Sequence, residues 1–222
     1  MKTLNQPTTL YLIRHGETEW NRIGRWQGHA DVPLSALGRE QAHALAQRLA
    51  AEQFHVDHIY ASDLQRAYET AEIVARSLGL PVERLPGLRE IHLGSWSGLT
   101  RDEIIARFPG ALSAYHYAHD GENRDTFWER VTTTIMQLAH RHPGERLMIV
   151  THGGVIRTFL GRVYAWQGQP DKHIPPITNT SITEMSLDQG TWHIERISDG
   201  DHLGSDLAQD VMAPRNESML PR

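Results

Sequence analysis

The sequence predicts an α/β fold: a three-layer sandwich with a mostly parallel central sheet flanked by helices. Three short apolar runs alternate along the chain with longer segments in which apolar residues recur at helical spacing. This alternation is typical of a sheet that is covered by helices on both faces. The 222 residues suit one domain, and we expect residues 1–203 to form it.

Apolar patterning predicts the first two elements. The run at residues 10–13 ends at Arg14-His15-Gly16, which is typical of a short buried strand that stops at a glycine turn. After Pro33, apolar residues recur at i, i+3, i+4 and i+7, and this spacing predicts a helix with one buried face. The positions on that face are Ala42, Leu45, Ala46 and Leu49.

A second strand is predicted at residues 59–61, followed by a long helix. Ser62, with Gln65 three residues later, fits a capping box that begins this helix. Gly79 ends the helix at its C-terminal cap, and Pro81 follows. The apolar stripe of the helix consists of Leu64, Ala67, Tyr68, Ala71, Val74, Ala75 and Leu78.

The second half of the chain repeats the alternation. Thr100 and Glu103 form another capping box, which predicts a short helix to about Phe108. A further helix is marked by Phe127, Val131, Ile135 and Leu138, and Pro143-Gly144 closes it.

A third buried strand at residues 147–150 runs into Thr151-His152-Gly153-Gly154 and a helix from Val155. A hairpin then follows, with strands at 182–187 and 192–197 around a turn at 188–190. The tail, residues 204–222, has little periodicity, and we expect it to be poorly ordered.

The composition excludes several classes of protein. Cysteine is absent, so a disulfide scaffold, a thiolate zinc site and a cysteine nucleophile are excluded. The net charge of −5 argues against a nucleic-acid partner, although it leaves room for a local basic pocket. No apolar stretch is long enough to span a membrane, and residues 1–7 lack the pattern of a signal peptide. We therefore expect a cytoplasmic protein with no membrane partner.

Basic residues and histidines collect where the predicted strands end. Two of the three strands end in such a cluster followed by glycine, and the other leads within a few residues to Arg66. Ligands of α/β sheets bind beyond the carboxyl ends of the strands. The start of the helix after His152, including Gly153, offers backbone N–H groups that favour an anion. Together with Arg14 and His15, these features predict a phosphate site.

Metal ligation is the alternative chemistry for these histidines. Two histidine pairs have i, i+3 spacing, His55 with His58 and His116 with His119. Both lie away from the predicted strand ends, and neither has the nearby carboxylate pattern that is typical of a zinc site. We therefore expect no functional metal.

The segment Leu12-Ile13-Arg14-His15-Gly16-Glu17-Thr18 resembles the signature of the histidine phosphatase (phosphoglycerate-mutase-like) superfamily. The likeness covers roughly residues 8–203. It continues through Trp20-Asn21, Gln27-Gly28, Asp31-Val32-Pro33-Leu34-Ser35, Ser62-Asp63-Leu64-Gln65-Arg66-Ala67, Leu88-Arg89-Glu90-Ile91 and Thr151-His152-Gly153-Gly154.

The resemblance implies a role for each matching residue. His15 matches the family's nucleophile, which becomes phosphohistidine, and Glu90 matches the carboxyl group that protonates the leaving oxygen. Arg14, Arg66 and His152 match the residues that hold the phosphoryl oxygens. Positions that contact substrate phosphate in relatives are matched by Asn21, Gln27 and Gly28.

The physical chemistry of phosphoryl transfer agrees with these roles. Charge spreads over three equatorial oxygens in the transition state, so fixed positive donors are the main requirement and Mg²⁺ is not needed. His15 must be neutral at its attacking nitrogen, and its other nitrogen should donate to a backbone carbonyl. Glu90 should start protonated and then act as a base toward water.

Two activities of the family compete. Cofactor-dependent mutases carry a lysine and a pair of adjacent arginines in the segment after the acid, and residues 91–130 contain neither. The sequence around Trp96 and Gly121-Glu122-Asn123 looks like the phosphatase branch instead. We therefore expect a metal-independent phosphomonoesterase without a cofactor, whose partner is a small phosphate ester. A mutase that depends on 2,3-bisphosphoglycerate is the alternative, and an inactive phosphate-binding or interaction module is a remote one.

The resemblance also implies a cap over the crevice, formed by residues 95–124. Its aromatic residues and histidines could select the substrate or could pack the cap against the core, and these are Trp96, Tyr115, His116, Tyr117 and His119. The chain could be a monomer or a homodimer, since the predicted hairpin offers a free sheet edge.

Overall fold

A six-stranded sheet forms the centre of the molecule in the computed structural model, which describes residues 6–110, 118 and 120–208. The strands are β1 (Thr8–Arg14), β2 (His58–Ala61), β3 (Val82–Arg84), β4 (Arg146–Thr151), β5 (Ile182–Asp188) and β6 (Thr191–Asp199). The helices are α1 (Glu19–Arg22), α2 (Ala36–Ala51), α3 (Gln65–Leu78), α4 (Arg101–Arg107), α5 (Arg124–Arg141) and α6 (Gly153–Trp166).

The strand order is β3-β2-β4-β1-β5-β6. The first four strands in this order are mutually parallel, and the hairpin β5–β6 adds two antiparallel strands beside β1. The predicted α/β class with a mostly parallel sheet is therefore confirmed. Because β1 and β4 are parallel neighbours, Arg14 pairs with Thr151, and the residues that follow both strands emerge side by side.

Helices cover both faces of the sheet. Along β1, Leu10 and Leu12 face one apolar cluster while Tyr11 and Ile13 face another. The first cluster contains the apolar residues of α5 and α6, and the second contains those of α2 and α3. Burial on both faces explains the uninterrupted apolar runs of β1 and β4. The three-layer arrangement predicted from the sequence is present.

A third, smaller apolar cluster lies in the predicted cap segment and at its N-terminal edge. Its buried members are Leu93, Trp96, Leu99, Ile104 and Ala118. Trp96 is only 2% exposed, so this residue packs inside the segment. The other aromatic residues and histidines predicted for the cap, Tyr115, His116, Tyr117 and His119, lie outside the described residues. So does the tail beyond residue 208.

Three details differ from the sequence-based expectations. The capping box at Ser62 is wrong, because α3 begins after Leu64 with no side-chain cap. The Ser62 hydroxyl lies instead 2.9 Å from Nε2 of His152, 90 residues away. The short elements α1 and β3 were not predicted. The capping box at Thr100, the helix end at Gly79 and the hairpin are confirmed.

None of the helices in the described ranges combines the length and the apolar character that a membrane span requires.

The start of α2 packs directly against the loop that follows β1. Ser35 caps the helix by accepting from Gly38 N, and its hydroxyl donates to Glu17 Oε1 at 2.8 Å. A Cβ added to Gly38 would lie 2.0 Å from Glu17 O, and one added to Gly16 would lie 2.4 Å from Gly38 O. The two backbones therefore need glycine for their close approach, and this approach holds the loop next to His15.

Alanine substitutions at two helical glycines should change the free energy of unfolding in opposite directions. Gly38→Ala should lower the free energy of unfolding by about 1–3 kcal/mol, because overpacking outweighs the gain in helix propensity. Gly161→Ala in α6 is the matched control, since its added Cβ would meet only Ile174 Cδ1 at 3.9 Å. It should be neutral or stabilising by up to about 1 kcal/mol. Urea denaturation measures both changes, and equal shifts of the same sign would contradict the packing argument.

Candidate active site

His15 lies immediately after β1, and the surrounding backbone holds it. Its N–H donates to Thr151 O at 2.9 Å, and its carbonyl accepts from Asn179 Nδ2 at 2.8 Å. Its Nδ1 lies 2.7 Å from Gly16 O. Because a carbonyl can only accept, Nδ1 carries the proton and Nε2 carries the lone pair. The expected hydrogen bond from the ring to a backbone carbonyl is therefore confirmed.

His15 and His152 are adjacent buried imidazoles, with ring centroids 5.1 Å apart. Burial lowers the pKa of His15 well below its ordinary value, and the charges of Arg66 and Arg14 lower it further. Burial also lowers the pKa of His152 well below the ordinary value, again with a contribution from Arg66. Both rings are therefore neutral at neutral pH.

Arg66 is a buried cation on the first turn of α3. It is 1% exposed, and its two terminal nitrogens donate to Ala30 O and Gly28 O, both at 2.8 Å. Burial lowers its pKa to about 10, so the guanidinium stays charged at neutral pH. Its Nε is buried and has no partner in the described part of the chain. A buried charge that lacks a carboxylate partner is the electrostatic signature of an anion site.

Arg14 supplies a second guanidinium at the end of β1. Its Nη1 donates to Ile177 O at 2.6 Å. A Cβ added to Gly153 would lie 3.5 Å from Arg14 Nε, so the side chain lies against the first residue of α6. The positive guanidinium therefore adjoins a helix N-terminus, whose own field also favours an anion.

Glu90 faces the same helix end. Its Oε1 accepts from Ile91 N at 2.9 Å, and its Oε2 accepts from Gly154 N at 2.9 Å. A Cβ added to Gly154 would lie 2.2 Å from Oε1, so only glycine leaves room for the carboxyl group. The second glycine of the motif Thr151-His152-Gly153-Gly154 is thus explained by the position of Glu90.

The backbone around Glu90 is held by a guanidinium that the sequence analysis missed. Arg130 donates to the carbonyls of Gly87, Arg89 and Glu90 at 3.0, 2.9 and 3.2 Å. It also forms a two-point ion pair with Glu122 at 2.8 and 2.7 Å. Arg130 lies beside the apolar stripe of α5, where no sequence signal separates it from an ordinary surface arginine.

One pocket of about 370 Å³ gathers most of the predicted site. Eight of the nine predicted residues line it, and they are Arg14, His15, Asn21, Gln27, Gly28, Arg66, Glu90 and Gly153. His152 is the exception: it is fully buried, lies next to His15 and has a buried Nδ1 without a partner among the described residues. Asn21 Oδ1 also accepts from Thr18 N in the capping box of α1.

The rest of the pocket was not predicted. Its wall is apolar and aromatic, formed by Trp26, Ile91, Leu93, Phe127 and Trp128. The lining includes five arginines and one carboxylate: Arg14, Arg25, Arg66, Arg124, Arg157 and Glu90. Arg25 is paired with Glu103, and the other four arginines against one carboxylate still leave the pocket lining positive, although the whole chain carries a net charge of −5. These wall residues come from three separate segments of the sequence, and no spacing pattern connects the segments.

The fold and the site define an α/β protein with a positively charged pocket beside a neutral histidine. The model of the histidine phosphatase superfamily (branch 1) matches residues 10–200, and the chain belongs to this superfamily. The family and its members that are named as phosphatases support phosphomonoester hydrolysis as the class of reaction.

Similar proteins carry both phosphatase and mutase names. The chain is 39% identical to phosphoglycerate mutase-like protein 4 of Arabidopsis thaliana, over 87% of this chain and 86% of the relative. It is 36% identical to the metal-independent phosphoserine phosphatase of the same plant, over 92% and 87%. Among solved structures, a mycobacterial glucosyl-3-phosphoglycerate phosphatase complexed with VO3 superposes with a TM-score of 0.75 at 32% identity, covering 86% of this chain and 99% of that one.

The lowered pKa of His15 predicts a pH dependence of stability. Below about pH 6.5 the unfolded chain binds a proton at this histidine and the folded chain does not, so stability falls as the pH falls. This histidine contributes up to about 1.4 kcal/mol per pH unit until its folded pKa is reached. In His15→Gln the curve of unfolding free energy against pH should be shallower by that amount between pH 6.5 and 5. Parallel curves for the two proteins would show that folded His15 titrates normally.

Proposed function

We propose that this protein is a metal-independent phosphomonoesterase that hydrolyses a small phosphorylated metabolite through a phosphohistidine on His15. The observation that carries the proposal is the neutral imidazole of His15, whose Nδ1–H donates to Gly16 O. The guanidinium groups of Arg14 and Arg66 line the same pocket. A neutral nucleophile beside fixed positive donors is what phosphoryl transfer requires.

In the proposed first step, Nε2 of His15 attacks phosphorus and the bond to the leaving oxygen breaks. The ring becomes positive, and the hydrogen bond from Nδ1 to Gly16 O stabilises that charge. Arg14 and Arg66 bind the equatorial oxygens, where the charge of the transition state lies. Glu90 gives its proton to the leaving oxygen, which departs as an alcohol.

The tautomer of His152 determines whether this ring can supply a further hydrogen-bond donor to the phosphoryl group. The Ser62 hydroxyl accepts from Leu64 N and lies 2.9 Å from His152 Nε2. If the hydroxyl donates to Nε2, the ring proton is on Nδ1, the atom that has no partner among the described residues. We propose that this N–H donates to a phosphoryl oxygen.

In the second step, the Glu90 carboxylate removes a proton from water, which attacks the phosphoryl group and releases it from His15. The same carboxyl group thus acts as acid and then as base. Its backbone is fixed by Arg130, and its two oxygens are held by Ile91 N and Gly154 N. A carboxyl group that acts in both half-reactions needs such a fixed position.

The remaining predicted residues are proposed to bind the substrate. Asn21, Gln27, Gly28 and Gly153 line the pocket, and Gln27 Oε1 is buried without a partner in the described part of the chain. Relatives named for phosphoserine and for glucosyl-3-phosphoglycerate support a small phosphorylated metabolite as substrate. The proposed reaction needs no cofactor, and the relative named as metal-independent supports this.

The domain boundaries and the cellular location are further parts of the proposal. One domain at residues 1–203 with a cap at 95–124 is supported by the third apolar cluster. Its members Trp96, Leu99, Ile104 and Ala118 lie in that segment, and the cluster also contacts the pocket wall through Leu93 and Trp26. We also propose a cytoplasmic location; a chain without cysteine has no disulfide that would need an oxidising compartment.

Mutase activity is the second candidate, since some relatives carry that name. The relatives named as phosphatases and the lack of a lysine or an adjacent arginine pair in residues 91–130 favour the phosphatase. The two activities differ in product: a phosphatase releases free phosphate, and a mutase converts 3-phosphoglycerate to its 2-isomer without release.

Removing the nucleophile should abolish turnover. His15→Ala should lower the release of phosphate from a panel of phosphomonoesters by at least about 1000-fold, with EDTA present throughout. His43→Ala, which removes an exposed histidine of α2, is the control and should be fully active. Isomerisation of 3-phosphoglycerate with a trace of 2,3-bisphosphoglycerate, in place of phosphate release, would establish the mutase.

Removing the acid should affect poor leaving groups most. Glu90→Gln should lower kcat/KM for an alkyl phosphate by about 10²–10⁴-fold, because an alkoxide must be protonated as it leaves. The loss should be below about 10-fold for p-nitrophenyl phosphate, whose leaving group departs as an anion. The ratio between the substrates cancels any general damage to the fold, and Glu129→Gln on an exposed position of α5 is the control. Equal losses for both substrates would exclude Glu90 as the acid.

A further inference from the structure

Three groups that bind metals meet at the end of the sheet opposite the pocket. His58 is the first residue of β2, His142 follows α5, and Glu145 directly precedes β4. The pocket lies beyond the carboxyl ends of β1 and β4, whereas these residues lie at the amino ends of β2 and β4. The cluster takes no part in the function proposed above, so it requires its own explanation.

Both imidazoles are directed at a single carboxylate oxygen. His58 Nε2 lies 3.0 Å and His142 Nδ1 lies 2.8 Å from Oε2 of Glu145. One ligand atom from each of the three residues lies within 4.8 Å of the other two. The two rings are 4.2 Å apart between centroids. Three donors from two distant parts of the chain therefore converge on one point.

The surroundings hold this arrangement in place. The second ring nitrogen of His142, Nε2, lies 2.8 Å from the Tyr60 hydroxyl, which fixes the orientation of the ring. Thr8 Oγ1 donates to His142 O and accepts from Gly144 N, both at 3.0 Å, so the turn that carries His142 is anchored to β1. Metal-binding histidines are oriented in the same way, through a partner on the other ring nitrogen.

Exposure leaves one side of the cluster open. The side chains of His142 and Glu145 are 11% and 25% exposed, and that of His58 is 43% exposed. An ion could therefore enter from solvent, and water could fill a fourth ligand position.

We propose that His58, His142 and Glu145 bind one divalent transition-metal ion, zinc in the first instance. Two imidazoles and a carboxylate suit zinc and related ions, and a water molecule completes a tetrahedron. Bonds of about 2.0–2.1 Å place neighbouring ligand atoms about 3.3 Å apart. The two nitrogens therefore need to move away from Glu145 Oε2 by only a few tenths of an ångström.

Binding requires a change of tautomer but no change of fold. In the metal-free cluster, His58 Nε2 and His142 Nδ1 carry the protons that they donate to Glu145. In the metal complex each proton moves to the other nitrogen of its ring, and His142 Nε2 then donates to the Tyr60 hydroxyl oxygen. The ion thus ties the start of β2 to the turn between α5 and β4, which stabilises the folded chain by linkage.

This inference departs from the sequence-based expectation of no metal. That expectation paired His58 with His55 and found no carboxylate pattern nearby in the sequence, whereas the carboxylate is Glu145, 87 residues from His58.

The test uses the full chain without a polyhistidine tag, stripped with EDTA and dialysed against Zn²⁺. The wild type should bind one equivalent that His58→Ala and Glu145→Gln both lose. His55→Ala is the matched control, since this exposed histidine lies three residues from His58 and outside the cluster, and it should retain the equivalent. His15→Ala should also retain it, which separates this site from the pocket.

Thermal unfolding gives an independent readout. At a zinc concentration about 100 times Kd, the Tm of the wild type should rise by roughly 5–10 °C, and that of His58→Ala should not. Phosphatase activity of His58→Ala should equal that of the wild type, so failure of the proposed function leaves this test intact. Equal zinc binding and equal Tm shifts in the wild type and His58→Ala would overturn the proposal and leave the cluster as a hydrogen-bonded triad.

Discussion

The burial of the Arg66 charge is the constraint on which the rest of the site depends. A desolvated guanidinium is costly, and here two backbone carbonyls satisfy its terminal nitrogens without neutralising it. Burial keeps His15 and His152 neutral, and the positive field of Arg66 lowers their pKa values further. The same residue therefore creates the demand for an anion and helps to keep the imidazoles unprotonated. A carboxylate paired with Arg66 would remove that demand and weaken its effect on the two imidazoles.

The scaffold maintains this geometry through backbone contacts. The parallel pairing of β1 with β4 places His15 and His152 side by side, and the close approach at Gly38 supports the loop next to His15. Arg130 fixes the backbone on both sides of Arg89 and at Glu90 through three carbonyl hydrogen bonds. Electrostatic stabilisation of a transition state works best when the charged groups are positioned beforehand, because no reorganisation is needed during the reaction.

The sequence predicts those features that depend on short-range pattern. The strands β1 and β4, the stripe of α5 and the hairpin all follow from local periodicity. The basic residues and histidines of the site follow from their clustering at strand ends, whereas Glu90, Asn21, Gln27 and Gly28 follow only from the resemblance to the family. The missed features depend on contacts between distant residues. Ser62 fits a helix cap by its spacing, yet it contacts His152, and the contact of Arg130 with Glu90 spans 40 residues. The three residues of β3 are too few to produce a pattern.

The central claim is that the phosphoryl group passes through His15 and reaches water in a second displacement. The stereochemical course at phosphorus tests it most directly, with a phosphomonoester made chiral by oxygen isotopes and hydrolysed in isotopic water. Two in-line displacements predict overall retention of configuration at the phosphorus of the released phosphate. Inversion would show a single direct attack by water, and it would contradict the account of His15 as the nucleophile.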